Sequence, residues 1–340
     1  MKRWVPIALA FVLASVGAIA FYLLCTYDPP PVDPAWAVAP SQAIPAGAVT
    51  VRWTGTATLV FSDGETTWMT DGWFTRPGPL QLLRGQIAPD LDAIARGLER
   101  NRITGSHVAA VFPVHSHYDH AMDAPEVARR TGALLVGSES TANIGPGRGL
   151  PESQIRVVRD REGIRFVAFT ITPIAARHFE FPDPRVRERA LGDPDITAPL
   201  VPPVGAFAYK VGVAWVLHVA HPKGSWLVVG SAGYLEGALE RYRANTVFLG
   251  IGGLGSQTDA YREIYWRETI ERTHPSRIIP IHWDSLTAPA EGPFRGTTRA
   301  ERILARGGDR TLEFLHAKAA ANPAIRFATL PLYEPVVLFR

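Results

Sequence analysis

Cysteine is almost absent from this sequence, since Cys25 is the only one among 340 residues. A single cysteine excludes any disulfide within the chain. It also excludes the zinc sites that are built from several thiolates. Any metal site in this chain must therefore use imidazole and carboxylate ligands.

A strong excess of charge of one sign is also missing. Lysine and arginine together number 35, against 32 aspartate and glutamate residues, and the net charge at pH 7 is +3. The basic residues form no stripe, and no recognition helix or basic and aromatic platform is apparent, so we expect no nucleic-acid partner. The dispersed arginines suit a small-molecule or lipid-like substrate that carries negative charge.

Two common catalytic patterns are missing as well. The sequence has no nucleophile elbow and no Ser-His-Asp order, which argues against a serine hydrolase. The glycine-rich run at residues 252–256 lacks the lysine of a phosphate-binding P-loop. No repeat appears at the periods of solenoid proteins, and the composition does not predict an oligomeric state.

A long apolar run begins the chain. Residues 4–26 carry no charge, and Lys2 and Arg3 precede them. The run is long enough to cross a bilayer, and its basic flank predicts a cytoplasmic N-terminus with the rest of the chain in the periplasm or outside the cell. We interpret residues 1–27 as a membrane anchor. The alternative is a signal peptide cleaved after Ala20, which would make the protein secreted.

The remaining residues divide into a short segment and one large domain. Residues 28–47 are rich in proline and predict an extended tether without a core of its own. Residues 48–340 fit a single domain. Its strand-like runs form two sets, near 49–71 with 108–136 and near 164–174 with 207–230. The predicted helices include Leu91–Asn101, Pro125–Thr131 and Tyr261–Thr273.

The most informative motif is His115-Ser116-His117-Tyr118-Asp119-His120, which follows an apolar, strand-like run. Neutral imidazoles and a carboxylate are the ligands that zinc, manganese and iron take, and zinc is the metal we expect. In an extended segment, His115 and His117 project to the same side. Asp119 and His120 then lie in the turn that follows, so this loop can hold two adjacent cations.

At this motif the chain resembles the metallo-β-lactamase superfamily, whose signature is the HxHxDH loop. The resemblance extends over residues 48–286. It implies an α/β (α+β) fold, a four-layer αββα sandwich preceded here by the N-terminal apolar helix. Further matching motifs are Val51–Leu59, Trp68–Gly72, Ala176–Phe179, Leu227–Tyr234 and Ile279–Trp283. Within the superfamily, HSHYDH and GSAGY are most similar to the ascorbate-phosphate lactonases and the N-acyl-phosphatidylethanolamine-hydrolysing phospholipase D.

The resemblance also implies roles for individual residues. The first metal would be held by His115, His117 and His178, and the second by Asp119, His120 and His282. The same three residues of the second set, Asp119, His120 and His282, are the candidate catalytic residues that move protons. Asp71 would orient a ligand histidine from behind, with an ordinary turn aspartate beside Gly72 as the alternative.

One position departs from the pattern of the family. Relatives have a bridging aspartate where this chain has Ser231, in Gly230-Ser231-Ala232-Gly233-Tyr234. Two cations a few ångströms apart repel each other unless anionic groups lie between them. We therefore expect one tightly bound metal and a second that is weak or absent.

The function that these residues imply is metal-dependent hydrolysis. A metal-bound hydroxide would attack an ester, a lactone or a phosphodiester, including a phospholipid-like one. The proline-rich segment 179–207 follows His178 directly and is expected to overhang the site or to be a solvated insertion. Two other classes remain open. One is a non-catalytic metal- or ligand-binding protein, which the serine at position 231 favours, and the other is an oxidising iron protein.

Overall fold

The computed structural model describes residues 4–103, 108–304 and 307–340. Among these residues the helices surround two β-sheets. The ten α-helices are α1 Trp4–Cys25, α2 Pro79–Arg84, α3 Leu91–Arg100, α4 Tyr118–Ala121, α5 Ala124–Thr131, α6 Glu139–Ile144, α7 Pro184–Leu191, α8 Asp259–Trp266, α9 Glu301–Leu304 and α10 Gly308–Ala321.

The first sheet has seven strands in the order β14-β1-β2-β3-β4-β5-β6. Strands β1, β2 and β3 form an antiparallel meander, whereas β3, β4, β5 and β6 pair in parallel. The strands are β1 Val49–Trp53, β2 Leu59–Ser62, β3 Thr67–Thr70, β4 Val108–Phe112, β5 Leu134–Gly137, β6 Ile155–Val157 and β14 Val336–Phe339.

The second sheet also has seven strands, in the order β13-β12-β11-β10-β9-β8-β7. Strands β10 to β13 pair in parallel, and β7 to β10 are antiparallel. The strands are β7 Ile164–Phe166, β8 Phe169–Ala176, β9 Ala214–His221, β10 Gly224–Val229, β11 Thr246–Gly250, β12 Arg277–Ile281 and β13 Arg326–Phe327.

The main hydrophobic core lies between the two sheets. The ring of Phe61 on β2 is 5.1 Å from Trp226 on β10 and 5.4 Å from Phe248 on β11, measured between centroids. All three side chains are buried. The non-polar strands are packed face to face because burying such side chains is worth roughly 2 kcal/mol each.

Helices cover the outer face of each sheet. Val127 of α5 and Leu98 of α3 join a second buried cluster that covers the outside of the first sheet. Trp266 of α8 and Leu315 of α10 are buried against the second sheet. The predicted four-layer αββα sandwich with an N-terminal helix is therefore confirmed.

Most predicted elements are present with shifted ends. The predicted helix over Tyr261–Thr273 is α8 followed by a π-helical turn at Arg267–Glu271. One helix, Ile7–Cys25, is long and apolar enough to cross a membrane, with a mean hydropathy of 2.5. Lys2 and Arg3, which set the predicted orientation of that helix, lie outside the described residues.

Residues 28–47 lie along the side of the domain. The ring of Trp36 packs 4.8 Å from Phe327, and the Val38 amide donates to the carbonyl of Thr329 at 3.0 Å. Val32 belongs to the main core. These contacts hold the proline-rich segment against residues near the end of the chain.

Candidate metal centre

The candidate ligands meet because the strands that carry them end at the same edge. In the first sheet, β3 and β4 are parallel. In the second sheet, β10 and β12 run in the same direction. Strand β8 also runs in that direction, because β9 lies between β8 and β10 and is antiparallel to both. Each strand is followed within three residues by a polar side chain at this edge. These side chains are Asp71, His115, His178, Ser231 and His282.

The first group of ligand atoms comes from His115, His117 and His178, which lie within 4.8 Å of one another. The Nε2–H of His117 donates to the carbonyl of Ala190 at 3.3 Å, and the Nδ1–H of His178 donates to that of Phe179 at 2.7 Å. Since a carbonyl only accepts, the other nitrogen of each ring keeps its lone pair free. That lone pair is what a cation requires.

His115 fits a metal site most clearly. Its side chain is buried, and both of its ring nitrogens lack a hydrogen-bond partner among the described residues. A buried nitrogen without a partner costs about 1–3 kcal/mol. A cation bound by this group would satisfy one of these nitrogens, so the residues present suit a divalent metal.

The second group consists of Asp119, His120 and His282. The Nε2 atoms of the two histidines are 3.1 Å apart, and each lies 3.3 Å from Oδ2 of Asp119. Ligands around a tetrahedral zinc ion with bonds near 2 Å are separated by about 3.3 Å. These three atoms therefore already stand at distances that suit either a shared proton or a cation.

Asp71 holds this second group from behind. Its Oδ2 lies 2.8 Å from Nδ1 of His120, and its Oδ1 accepts the Val114 amide at 2.9 Å. The carboxylate is fully buried. It therefore fixes the orientation of the His120 ring and leaves Nε2 of that ring directed at Asp119 and His282.

Burial and neighbouring charge divide the histidines into two kinds. Burial lowers the pKa of His115 and of His178 well below the usual value, and neighbouring histidines lower both further. Burial also lowers the pKa of His117, to about 4, although Asp119 opposes this shift. The three rings of the first group are therefore neutral, as metal ligation requires.

In the absence of a metal, the second group contains a protonated histidine paired with an ionised carboxylate. Burial lowers the pKa of His120, but the carboxylates of Asp71 and Asp119 outweigh it and raise that pKa to about 10. Burial raises the pKa of Asp119, but His120 and His282 bring it well below the usual value. In this group the proton on His120 balances the charge of the Asp119 carboxylate. The first group has no such pair, and both ring nitrogens of His115 lack a partner among the described residues.

Ser231 is the residue that the resemblance places where relatives have a bridging aspartate. It follows β10 and is half-buried, and its Oγ accepts the amide of Phe179 at 3.3 Å. The hydroxyl therefore lies next to the backbone of the His178 loop. It brings no negative charge to the edge that carries both ligand groups.

The predicted overhanging segment does lie against the ligands. Helix α7 lies within residues 179–207, and the carbonyl of Ala190 at its C-terminal end contacts His117. The ring of Phe181 stacks on His178 with centroids 5.5 Å apart. This segment therefore forms one wall of the site.

Sequence reasoning missed a buried ion pair beside His282. Arg76 and Asp284 are 3.0 Å apart, and their side chains are 4% and 1% exposed. Asp284 also accepts the Thr56 amide at 2.7 Å, and the carbonyl of Thr56 accepts the His282 amide at 2.9 Å. The pair thus fixes the loop that presents His282. The adjacent sequence His282-Trp283-Asp284 was the available signal.

Asp123 was missed as well. Its buried carboxylate accepts the amides of Phe74 and Thr75 at 2.8 and 2.6 Å. Burial raises the pKa of Asp123 to about 6, against the opposing effect of these hydrogen bonds. It ties the short helix α4, which carries Asp119 and His120, to the loop after Asp71.

Comparisons with known proteins agree with this architecture. The profile of the Metallo-beta-lactamase superfamily matches residues 52–282, more than half of the chain. A search of curated proteins finds no match. Among solved structures, Igni18, a metallo hydrolase from the archaeon Ignicoccus hospitalis, is 16% identical with a TM-score of 0.51, and the alignment covers 85% of this chain and 97% of that one.

Two further structures are less similar. The metallo-beta-lactamase fold protein YhfI from Bacillus subtilis is 11% identical with a TM-score of 0.45, covering 85% of this chain and 99% of that one. CmlA, a diiron β-hydroxylase from Streptomyces venezuelae, is 12% identical with a TM-score of 0.47, covering 88% and 55%. At 16% identity, the likeness to Igni18 shows a shared fold alone. With the profile match over residues 52–282, the chain belongs to the metallo-beta-lactamase superfamily.

Proposed function

We propose that this protein is a metal-dependent hydrolase that acts on an ester, a lactone or a phosphodiester. The observation that carries the proposal is the pair of ligand groups side by side at one sheet edge, one neutral and one holding a proton. A metal ion held by His115, His117 and His178 would lower the pKa of a bound water to near neutrality and would polarise the substrate oxygen.

The tight metal site in this proposal is the group of His115, His117 and His178. These rings are neutral, and the buried nitrogens of His115 are without partners among the described residues. The group of Asp119, His120 and His282 already satisfies its own polar atoms, so a second cation there must displace a proton. Since Ser231 adds no charge, that second site is weak or absent. Zinc is the expected metal, with manganese or iron as alternatives.

The residues of the second group then move protons. The carboxylate of Asp119 can accept a proton from the attacking water, because its Oδ2 faces the ligand edge between two imidazoles. The His120–His282 pair can return a proton to the leaving group. Asp71 keeps His120 charged and correctly turned for that step. Such positioned acid–base groups contribute roughly 10²–10⁴-fold to a rate.

The substrate is proposed to be a small molecule or a lipid-like compound that carries negative charge. Arg185, Arg187 and Arg189 lie on α7, the helix that reaches the site at Ala190, and can attract negative charge. The motifs HSHYDH and GSAGY support the narrower relation to the lactonase and phospholipase D groups named above. Nucleic acid is not proposed as a partner.

The protein is proposed to be anchored in a membrane with its domain in the periplasm or outside the cell. The apolar helix at Ile7–Cys25 supports an anchor. The alternative is secretion after cleavage at Ala20.

The test is hydrolysis by the full chain in detergent, stripped with a chelator and reloaded with zinc. The substrates are a p-nitrophenyl ester, a γ-lactone and bis(p-nitrophenyl) phosphate. We expect zinc-dependent hydrolysis of at least one. His115→Ala should lose both zinc and activity, whereas His282→Ala should keep zinc and lose activity by on the order of 10²-fold or more.

The matched control is His221→Ala, a buried histidine that belongs to neither ligand group, and it should leave both readouts unchanged. Bound zinc without hydrolysis of any substrate would replace the hydrolase by the non-catalytic alternative, which the serine at position 231 favours. Failure to bind any divalent metal would overturn the metal site itself.

A further inference from the structure

The end of the N-terminal helix is fixed to the domain. Backbone hydrogen bonds of 2.9–3.1 Å join residues 23–28 to residues 297–300, and Tyr27 and Thr298 form a β-bridge. Asp28 is also paired with Arg299 and Arg302, each at 3.4 Å. The anchor is therefore docked on the segment 295–302 rather than joined to the domain by a free linker.

With α1 spanning a bilayer, as proposed above, this docking places the segment 295–302 at the level of the lipid headgroups. Arg299 lies over the ring of Tyr22 at 5.6 Å, and Arg295 lies over Tyr27 at 4.9 Å. Tyrosine and arginine at the end of a membrane-spanning helix are typical of the interface between bilayer and water. Since α1 ends at Cys25, the residues that contact positions 22–28 must lie at the same height.

The same segment is bonded directly to the loop that carries His282. The carbonyl of Arg295 accepts the Ser285 amide at 2.9 Å. The carboxylate of Glu301 accepts the Ser285 hydroxyl at 3.0 Å and the Leu286 amide at 3.2 Å. His282 is three residues before Ser285, a span of at most about 11 Å. The metal centre is therefore close to headgroup height.

We refer to two exposed apolar side chains, Leu80 and Val201, as the apolar rim. Leu80 is 58% exposed and Val201 is 62% exposed. Their segments are paired through the backbone of Ile87 and Val204, at 2.8 and 3.1 Å. Ile87 belongs to a buried cluster, and Val204 and Leu286, the latter from the His282 loop, both pack against it. The segments that carry the apolar rim are thus connected through this cluster to the His282 loop, which the segment 295–302 holds.

We propose that the metal centre opens at the surface of the bilayer, with the apolar rim around Leu80 and Val201 in contact with lipid. The substrate is then an amphiphile whose reacting group lies at headgroup level and whose tail stays in the membrane. This inference rests on the proposed hydrolase function and on an uncleaved anchor. It adds the direction from which the substrate arrives.

The test measures the distance of single labels from the lipid headgroups. In a Cys25→Ser background, Val201→Cys and Val167→Cys each carry a bimane dye, in the full chain inserted into phosphatidylcholine vesicles with a spin label on the lipid headgroup. Val167 is the matched control because it is an exposed valine, 55% against 62%. It lies at the opposite end of β8 from His178, about 25 Å away along the strand.

We expect the spin label to quench the dye at position 201 at least two-fold more than the dye at position 167. Equal quenching, or stronger quenching at position 167, would overturn the proposed orientation. Zinc content and hydrolysis of the soluble substrates, measured on the same variants, report separately on the proposed function. Chain that does not float with the vesicles would contradict the anchor, and the orientation with it.

Discussion

At the scale of single residues, three residues of the centre have a positive φ, a backbone conformation that residues other than glycine rarely adopt. Thr56, Asp71 and His282 have φ values of 49°, 54° and 58°. Each costs on the order of 1 kcal/mol and persists only where the surroundings hold it. Here the Asp71 carboxylate holds Val114, and Thr56 and His282 hold each other. The strained residues therefore lie at or next to the ends of strands, at the sheet edge where the candidate ligands meet.

Replacing Asp71 tests its role as a positioning residue. Asp71→Asn keeps the size of the side chain but removes the charge that keeps His120 protonated and oriented. We expect kcat to fall by roughly 10–100-fold while about one zinc per chain remains bound. Asp63→Asn, a buried carboxylate paired with His221 outside the centre, is the control. Unchanged kcat, or loss of the zinc, would contradict this role.

Some ligand residues could be predicted from their spacing alone, and others only from the family resemblance. His115, His117, Asp119 and His120 are close in the chain, so their spacing alone indicates a site. His178 and His282 could be assigned only through order and resemblance. The pairing of Arg76 with Asp284 could not be predicted, because the two are more than 200 residues apart and only the packing of both sheets brings them together.

At the scale of elements, the buried Arg76–Asp284 pair connects the loop after β3 to the loop after β12. Arg76→Ala leaves the Asp284 carboxylate buried without its counterion, which should lower the free energy of unfolding by about 3–5 kcal/mol. Arg96→Ala removes an exposed pair with Glu291 and should cost less than about 1 kcal/mol. Urea unfolding of both variants measures the difference. Similar losses would contradict a structural role for the buried pair.

Helix α5 contains a buried glutamate that makes stability depend on pH. Burial raises the pKa of Glu126, but hydrogen bonds from Arg129, Arg130 and Arg148 outweigh it and lower that pKa to about 2. Because the folded pKa is below the ordinary value, the ion pairs stabilise the fold above about pH 4.5. Their contribution is lost as the pH falls from about 4.5 to about 2.

Glu126→Gln should therefore be less stable than the parent at pH 7, with a smaller fall in melting temperature between pH 4.5 and pH 2.5. Thermal unfolding across this range is the measurement. Glu162→Gln, at an exposed pair with Arg156, should follow the parent curve. A Glu126→Gln curve parallel to that of the parent would show that this carboxylate does not titrate in the stated window.

Element boundaries were harder to predict than element types. The hydrophobic pattern continues through Tyr261–Thr273, but the hydrogen bonding changes to a π-helical turn after Trp266. There Glu268 is buried and binds the Gly237 amide and Arg272. Such a change depends on contacts outside the helix, which a local pattern does not contain.

At the scale of the whole molecule, each of the two sheets supplies different residues of the centre. The first sheet supplies the HxHxDH loop and Asp71, and the second supplies His178, Ser231 and His282. The centre therefore assembles only when both sheets are packed together. The end of the N-terminal helix and the residues after it add a third constraint, because residues 23–28 are hydrogen-bonded to the segment beside the His282 loop. Composition and periodicity predict the layers, but not this docking.

The most direct test of the account is the number of metal ions per chain, measured by plasma mass spectrometry on the full chain in detergent, purified without chelator. We predict about one zinc per chain, none in His115→Ala, and about two in Ser231→Asp, where a carboxylate is added at the edge that carries both groups. Ser231→Asn, equal in size but neutral, should keep about one. Two metal ions in the unmodified chain would contradict the central claim that the serine at position 231 leaves this centre with a single tight metal site.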